Sequence, residues 1–110
     1  MGNEHDREHV RIQTDALVDF TGTDVLLFHK IENLSLGGMS IFAASVEPIG
    51  TRVYLTINFP AFNEVIEVEG EVVWCREQEP KEMGIKFCEL TKEQEDVMNR
   101  YIAAKASSKG

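Results

Sequence analysis

Arg7 and Arg11 lie four positions apart in the stretch DREHVR, just before the first predicted strand. Because that stretch has no apolar periodicity of its own, both side chains are expected on a loop. A guanidinium group is planar and permanently charged, and its fork of N–H donors bonds anionic groups in pairs. The two arginines therefore either decorate a solvated surface or converge on a ligand that is anionic and planar.

A second polar group lies in NLSLGG, residues 33–38, at the turn between two predicted strands. Asn33 offers a donor and an acceptor, and Ser35 offers a hydroxyl. The paired glycines Gly37 and Gly38 permit positive φ and close approach by another group. Neither motif is specific alone, since asparagine, serine and glycine are ordinary residues of hairpin turns.

The charge balance restricts where an anion could bind. The chain has 19 acidic and 11 basic residues and a net charge of -8, which argues against a protein that binds DNA, RNA or anionic lipid through an overall basic surface. Any anion site must therefore be local. The 110 residues, 43% of them hydrophobic, predict one domain over residues 1–110. With neither a long apolar run nor a signal-like start, a cytoplasmic protein without membrane insertion is expected.

Alternation with period two predicts that most of the chain is β-structure. Six short strands separated by turn signals favour an antiparallel β-barrel over residues 10–89, not βαβ units. The predicted strands cover residues 10–20, 24–32, 39–44, 51–59, 64–75 and 83–88.

The alternation also assigns side chains to the two faces of the barrel wall. The apolar parity of the first segment holds Val10, Ile12, Ala16, Val18 and Phe20, and that of the long segment 64–75 holds Ile66, Val68, Val72 and Trp74. Trp74 and Phe59 are therefore predicted to be core residues. Glutamates such as Glu67, Glu69 and Glu71 share the opposite parity, either as a solvated face or as a contact surface for a basic partner.

The pattern changes to a helical one at Thr91. Thr91 and Gln94 fit a capping box, and a helix is predicted over residues 91–105, with a frayed end after it. Its apolar stripe consists of Val97, Met98, Tyr101 and Ile102. The stripe can pack on its own barrel or on a neighbouring molecule, so the oligomeric state stays open.

Other chemistries are poorly supported by the spacing of their residues. His5, His9 and His29 have no cysteine or carboxylate spaced to complete a metal site, so none is predicted. Ser35 has no identifiable base, and an enzyme is not expected. Cys75 and Cys88 are interpreted as incidental thiols, with a cross-strand disulfide possible only in an oxidising compartment.

The order of the motifs resembles that of the PilZ domain family. R-x-x-x-R at Arg7 and Arg11 precedes N-x-S-x-x-G at Asn33, Ser35 and Gly38, and the strand MGIKF and a closing helix follow, so the resemblance runs from Arg7 to about residue 104. It implies a small antiparallel barrel that binds the bacterial second messenger cyclic di-GMP through those five residues, with no other cofactor.

The polar character of the chain's start suggests how such a receptor would work. An N-terminal arm, residues 1–9, is expected to be mobile and to order when the arginines clamp the nucleotide, which changes the surface offered to a protein partner. Many members have a basic or long polar residue where this chain has Asp6, so the number of nucleotides bound stays open. The alternative is an adaptor that contacts proteins and binds no nucleotide. The process controlled, motility and biofilm formation among the options, is not specified.

Overall fold

A curled, seven-stranded antiparallel sheet and one C-terminal helix make up this computed structural model, which describes residues 14–108. The strands are β1 Leu17–Thr21, β2 Val25–Lys30, β3 Asn33–Leu34, β4 Gly38–Phe42, β5 Arg52–Phe59, β6 Glu64–Arg76 and β7 Glu82–Phe87, and α1 covers Lys92–Ser108. The mainly β class with a C-terminal helix is confirmed. The expected count of six strands is wrong by one, because the two-residue β3 was not recognised.

The sheet runs in the order β2-β1-β5-β6-β7-β4-β3 and curls into a half-barrel. The curl brings β2, at one end, back toward β4, where His29 Nε2 donates a hydrogen bond to the Phe42 carbonyl. A sheet curled this way has a concave inner face, which the apolar parity of each strand fills. The inner face therefore forms the core, and the outer face is left for solvent or ligands.

The core confirms most of the predicted parities. Fully buried side chains include Ala16, Val18 and Phe20 in the first segment and Val53, Ile57 and Phe59 in the fifth strand. Val10 and Ile12 lie outside the described residues. The pleat carries every second side chain inward, so parity alone locates the core wherever the strand is regular.

Trp74 is the exception, and the prediction that it belongs to the core is wrong. The β6–β7 pairing joins Val72 to Ile85 and then Trp74 to Gly84, so Val73 is an extra residue on β6. One extra residue reverses the facing of everything after it. Trp74 therefore lies on the outer face, 38% exposed, with its indole so close above Gly84 that a Cβ there would collide with it.

The helix begins as the capping box predicts. Gln94 N donates to Thr91 Oγ1 at 3.1 Å, and Thr91 N donates to Gln94 Oε1 at 3.0 Å. Gln94 Nε2 also donates to the Glu67 carbonyl at 2.8 Å, which ties the start of α1 to β6. The helix continues past residue 105 to Ser108, because no glycine or proline interrupts it.

The apolar stripe of α1 packs on the chain's own sheet. Met98, Tyr101 and Ile102 are buried, and the Tyr101 ring lies 4.7 Å from that of Phe59 between centroids. Phe62 meets the same ring edge-on at 5.6 Å. The stripe thus closes one side of the core, as the helical periodicity predicts.

Glu47 is a buried carboxylate that the sequence pattern did not single out. It is 5% exposed, and its Oε2 accepts hydrogen bonds from Thr23 N at 2.8 Å and Asp24 N at 3.2 Å. Gly22 leaves room for it, since a Cβ there would come within 2.8 Å of the same oxygen. Glu47, in the connection between β4 and β5, therefore accepts hydrogen bonds from two backbone donors of the β1–β2 turn.

Candidate functional site

The turn between β3 and β4 is held by the side chain of Ser35. Ser35 N donates to the Gly38 carbonyl at 2.9 Å, and the Ser35 hydroxyl donates to the same oxygen at 3.4 Å. Gly37 N in turn donates to Ser35 Oγ at 3.3 Å. With 8% of its surface exposed, Ser35 shapes the turn from within, and its long hydroxyl contacts leave it able to exchange partners.

The close approach of the neighbouring strand β7 requires a glycine at position 38. A Cβ at this position would collide with the backbone carbonyl of Ile85 on β7, and Phe87 N donates to the Gly37 carbonyl at 2.9 Å. The two strands therefore approach too closely for any side chain at Gly38. Strand packing alone accounts for the glycine, and its contact with a ligand stays a prediction.

Asn33 begins a row of residues that crosses the outer face of the sheet. It pairs with Ser40 on β4, Ser40 pairs with Gly84 on β7, and Gly84 pairs with Trp74 on β6. Asn33 Nδ2 donates to Ser40 Oγ at 3.4 Å. Three strand spacings put roughly 14 Å between the ends of this row. We call these four residues the outer row.

The outer row has a polar end and an aromatic end. The indole of Trp74 lies directly over Gly84, and the small, buried Ser40 separates it from the amide of Asn33. Trp74 was missed as a site residue because parity cannot detect the bulge at Val73. The glycine in MGIKF was the available signal, since a glycine inside a strand often marks a close approach from a neighbour.

Cationic side chains lie on both sides of the outer row. Lys86, exposed, pairs with Gly38 in the register of β4 and β7. Arg76 follows Trp74 on β6, where its Nε donates to the Pro80 carbonyl at 3.0 Å and its guanidinium meets Glu82 at 3.2 Å. Lys86 pairs with Glu71 and Arg76 with Glu82 in the register of β6 and β7, so each of these two cations has an acidic neighbour.

Arg7 and Arg11 lie outside the described residues, which begin at Thr14. Thr14 Oγ1 is hydrogen-bonded to the Tyr101 hydroxyl and accepts from Ala16 N at 2.8 Å. The Tyr101 hydroxyl donates to Asp15 Oδ1 at 2.5 Å and accepts from Asp15 N at 3.2 Å. Helix α1 therefore anchors the start of β1. We call this group of Thr14, Asp15 and Tyr101 the Tyr101 anchor.

The anchor shifts the proton affinities of its members. The hydrogen bond from Tyr101 lowers the pKa of Asp15, and the nearby Lys105 ammonium, 3.4 Å from Asp15 Oδ1, lowers it further. Burial raises the pKa of Tyr101, and its hydrogen bond to the Asp15 carboxylate adds to that. Both shifts favour the state seen here, a neutral phenol donating to an ionised carboxylate.

No metal-binding group of three or more ligands occurs within residues 14–108, and no described helix is long and apolar enough to span a membrane. His5 and His9 lie outside that range. Cys75 and Cys88 both carry free thiols.

A family model described as the PilZ domain matches residues 5–104. An uncharacterized protein of Aquifex aeolicus strain VF5 is 29% identical over 102 residues, which cover 87% of this chain and 47% of that protein. This chain thus spans about half the length of that relative.

Solved structures are similar in fold. The Bacillus subtilis inhibitor of motility, MotI/DgrA, matches with a TM-score of 0.82 at 18% identity, over 94% of this chain and 52% of that one. The PilZ domain of Escherichia coli YcgR, solved with c-di-GMP, matches with a TM-score of 0.71 at 16% identity, over 93% of this chain and 92% of that one. The sheet and helix described above are therefore an architecture shared with these proteins.

Proposed function

The chain belongs to the PilZ domain family, and from that premise we propose that it is a cytoplasmic receptor for cyclic di-GMP with no catalytic step. The observation that carries the proposal is the outer row, in which the exposed indole of Trp74 lies over Gly84 and the amide of Asn33 lies at the other end, beyond Ser40. A guanine needs a flat surface for its π-face and a donor for its edge. The outer row offers these two features at its opposite ends, so the indole of Trp74 and the amide of Asn33 would contact different parts of a dinucleotide ligand.

The arginines complete the proposed site. Cyclic di-GMP carries two phosphates and two guanines, and the guanidinium fork of Arg7 or Arg11 can bond phosphate or the O6/N7 edge of guanine and can stack on the base. Arg11 precedes Thr14, whose side chain is hydrogen-bonded to Tyr101, by three residues in the sequence. Arg7, Arg11, Asn33, Ser35 and Gly38 are the proposed ligand residues, and Trp74 joins them as a stacking surface.

Titration calorimetry with cyclic di-GMP, GMP and cyclic AMP tests the proposal. Saturable binding of cyclic di-GMP alone is expected, and Arg7→Ala and Arg11→Ala should each weaken it about ten-fold or more, as loss of a bidentate contact predicts. Arg52→Ala is the matched control, because Arg52 is exposed and pairs with Glu69 on another part of the sheet. Unchanged binding in both motif variants would contradict the proposed site.

A protein-interaction role is the second candidate, because β2 exposes a run of large apolar side chains at one end of the sheet. Val25, Leu27 and Phe28 are 60%, 63% and 70% exposed. Patches of this kind mark contact surfaces for other proteins. The similar fold of an inhibitor of motility is consistent with such an output, and with control of motility or biofilm formation.

The two roles are compatible if nucleotide binding changes the protein surface. In this proposal, ordering of residues 1–9 around the nucleotide alters what a partner meets. A pull-down with and without cyclic di-GMP separates the cases. If a partner is captured only with cyclic di-GMP or only without it, the result supports a nucleotide-controlled adaptor. If the chain binds no nucleotide and captures the same amount of partner in both conditions, the result supports the plain adaptor.

A further inference from the structure

Strand β2 contains an irregularity that turns an aromatic ring outward. The register of β1 and β2 shifts between Val18 and Phe20, so that Leu27 and Phe28 of β2 together oppose the single residue Asp19. Phe28 has a left-handed backbone with a φ of 54°, and its N–H donates to Asp19 Oδ1 at 2.8 Å. Bulky residues rarely adopt this conformation, and bulges of this kind re-aim a side chain. Because Phe28 is 70% exposed, packing of its ring within residues 14–108 does not offset the strain.

The exposed ring belongs to a face of the sheet that extends from β2 to β6. Side chains of directly paired residues lie on the same side of a sheet. Two rows of such pairs cross this face: Leu27 and Phe28, Asp19, Thr56 and Glu67 in one, and Val25, Thr21, Tyr54 and Glu69 in the other. We call the residues of these two rows the mixed face. Three strand spacings put roughly 14 Å between its apolar end on β2 and its acidic end on β6.

The acidic end of the mixed face offers a place for a cation. A shallow, open depression of about 360 Å³ is lined there by Tyr54, Thr56, Glu67 and Glu69. Arg52 meets Glu69 at 2.9 Å, whereas none of the ion pairs within residues 14–108 includes Glu67. A lysine or arginine from outside can therefore bond the Glu67 carboxylate and lie against the exposed ring of Tyr54.

We propose that the mixed face binds a basic, amphipathic segment of a partner protein, whose apolar side chains cover the β2 end and whose lysine or arginine occupies the depression beside Tyr54. The inference deepens the protein-interaction role proposed above and rests on it, since it names the chemistry of the partner. Apolar contacts supply most of the affinity of such an interface, and complementary charge supplies its specificity.

Charge decides between the possible occupants of the mixed face. Its charged residues are Asp19, Glu67 and Glu69, all of them acidic. A second copy of the chain would use the same surface on both sides of a symmetric contact. Such a contact brings like charges together in a chain whose net charge is already -8. A basic partner meets the same carboxylates with opposite charge, so it is the occupant that fits.

A short synthetic peptide in which lysine alternates with phenylalanine is the probe for this surface. It is titrated into the full, isotope-labelled chain, and the amide chemical shifts are followed by NMR. The shifts are expected to be confined to β1, β2, β5 and β6, and the affinity is expected to fall as the salt concentration rises. A peptide in which glutamate replaces the lysines is the matched control and should leave the spectrum unchanged.

Phe28→Asn tests the apolar end of the mixed face. Asparagine adopts a left-handed backbone more readily than phenylalanine, so the variant removes the ring and should keep or raise the melting temperature. The lysine peptide should bind at least about ten-fold more weakly, as loss of one buried aromatic side chain predicts. Leu27→Ser serves as a second variant of the same end. Val73→Ser is the control, because Val73 is exposed on β6 beyond its pairing with β5.

Glu67→Lys tests the acidic end. Reversing this charge should weaken binding of the lysine peptide by up to about five-fold at low salt, the range of an exposed ion pair, and the difference should vanish at high salt. Glu77→Lys is the matched control, since Glu77 is an exposed carboxylate in the connection between β6 and β7.

Several results overturn the inference and leave the protein-interaction role standing. They are wild-type affinity for the lysine peptide in Phe28→Asn or in Glu67→Lys at low salt, equal binding of the glutamate peptide, and shifts spread over exposed carboxylates throughout the chain. Dimerisation that Phe28→Asn abolishes identifies a second copy as the occupant and also overturns it. A pull-down that captures no partner in either nucleotide state removes the protein-interaction role, and the inference with it.

Discussion

The Tyr101 hydroxyl donates a 2.5 Å hydrogen bond to the Asp15 carboxylate, joining residues 86 positions apart in the chain. The carboxylate is mostly exposed, whereas the ring of Tyr101 is buried in the core. The bond therefore lies at the edge of the core, where the last helix meets the first strand. At such a place the protonation of one exposed group influences how firmly a buried element is held.

Acid should weaken the attachment of α1 through Asp15. The pKa of Asp15 is lowered in the folded chain, first by the Tyr101 hydrogen bond, so the ionised form stabilises the fold above the ordinary value of 3.8. That stabilisation is lost as pH falls through the lowered pKa. Urea unfolding between about pH 5 and pH 2 should show a steeper loss of unfolding free energy in the wild type than in Asp15→Asn.

Tyr101→Phe provides the check on that acid response. Because Tyr101→Phe removes the hydrogen bond that lowers the pKa of Asp15, its unfolding free energy should fall less steeply with acid than that of the wild type, as in Asp15→Asn. At the alkaline end the sign is reversed: the raised pKa of Tyr101 stabilises the fold below 10.0, and this is lost as pH rises further. An acid limb of wild-type steepness in both variants would contradict the assignment.

Trp74 should report and support nucleotide binding. It is the only tryptophan in the chain, so its fluorescence comes from the outer row alone and should change on addition of cyclic di-GMP. Trp74→Ala should weaken binding roughly five- to hundred-fold, the equivalent of about 1–3 kcal/mol for stacking of one base. Tyr54→Ala removes another exposed aromatic residue, on a different part of the sheet, and is expected to bind normally.

The sequence predicted those features of the fold that depend on residues close together in the chain. Alternation placed Val53, Ile57 and Phe59 in the core, and the spacing of Thr91 and Gln94 located the start of α1. These features depend on the period of a strand and on contacts three residues apart, which a sequence displays directly.

Features that depend on pairing between distant segments were not predicted. The bulge at Val73 exists only relative to β7, so the facing of Trp74 could not follow from the alternation in β6 itself. The buried role of Glu47 was not predicted, because its partners, Thr23 and Asp24, belong to a turn more than twenty positions away. The NLSLGG turn was located correctly, but the reason for Gly38 lies in β7, more than forty positions away.

The buried carboxylate of Glu47 should contribute strongly to stability. Glu47→Ala leaves the partly buried N–H groups of Thr23 and Asp24 without their charged acceptor, at a cost of about 1–3 kcal/mol in unfolding free energy. Glu67→Ala on the exposed face of β6 is the control and should change it by less than about 0.5 kcal/mol. Equal midpoints of the two variants in urea would show that the two turn donors find other partners.

Gly38→Ala should destabilise the sheet before it affects any ligand. The new methyl group would collide with the Ile85 carbonyl, and relieving the collision requires β4 to move away from β7. A cost of about 1–3 kcal/mol in unfolding free energy is expected, as for other overpacked sites. Urea unfolding without nucleotide measures it, and Arg11→Ala serves as a comparison that should lose binding at unchanged stability. If Gly38→Ala keeps wild-type stability and loses only its affinity for cyclic di-GMP, then direct approach of the ligand, and not strand packing, is what requires a glycine at this position.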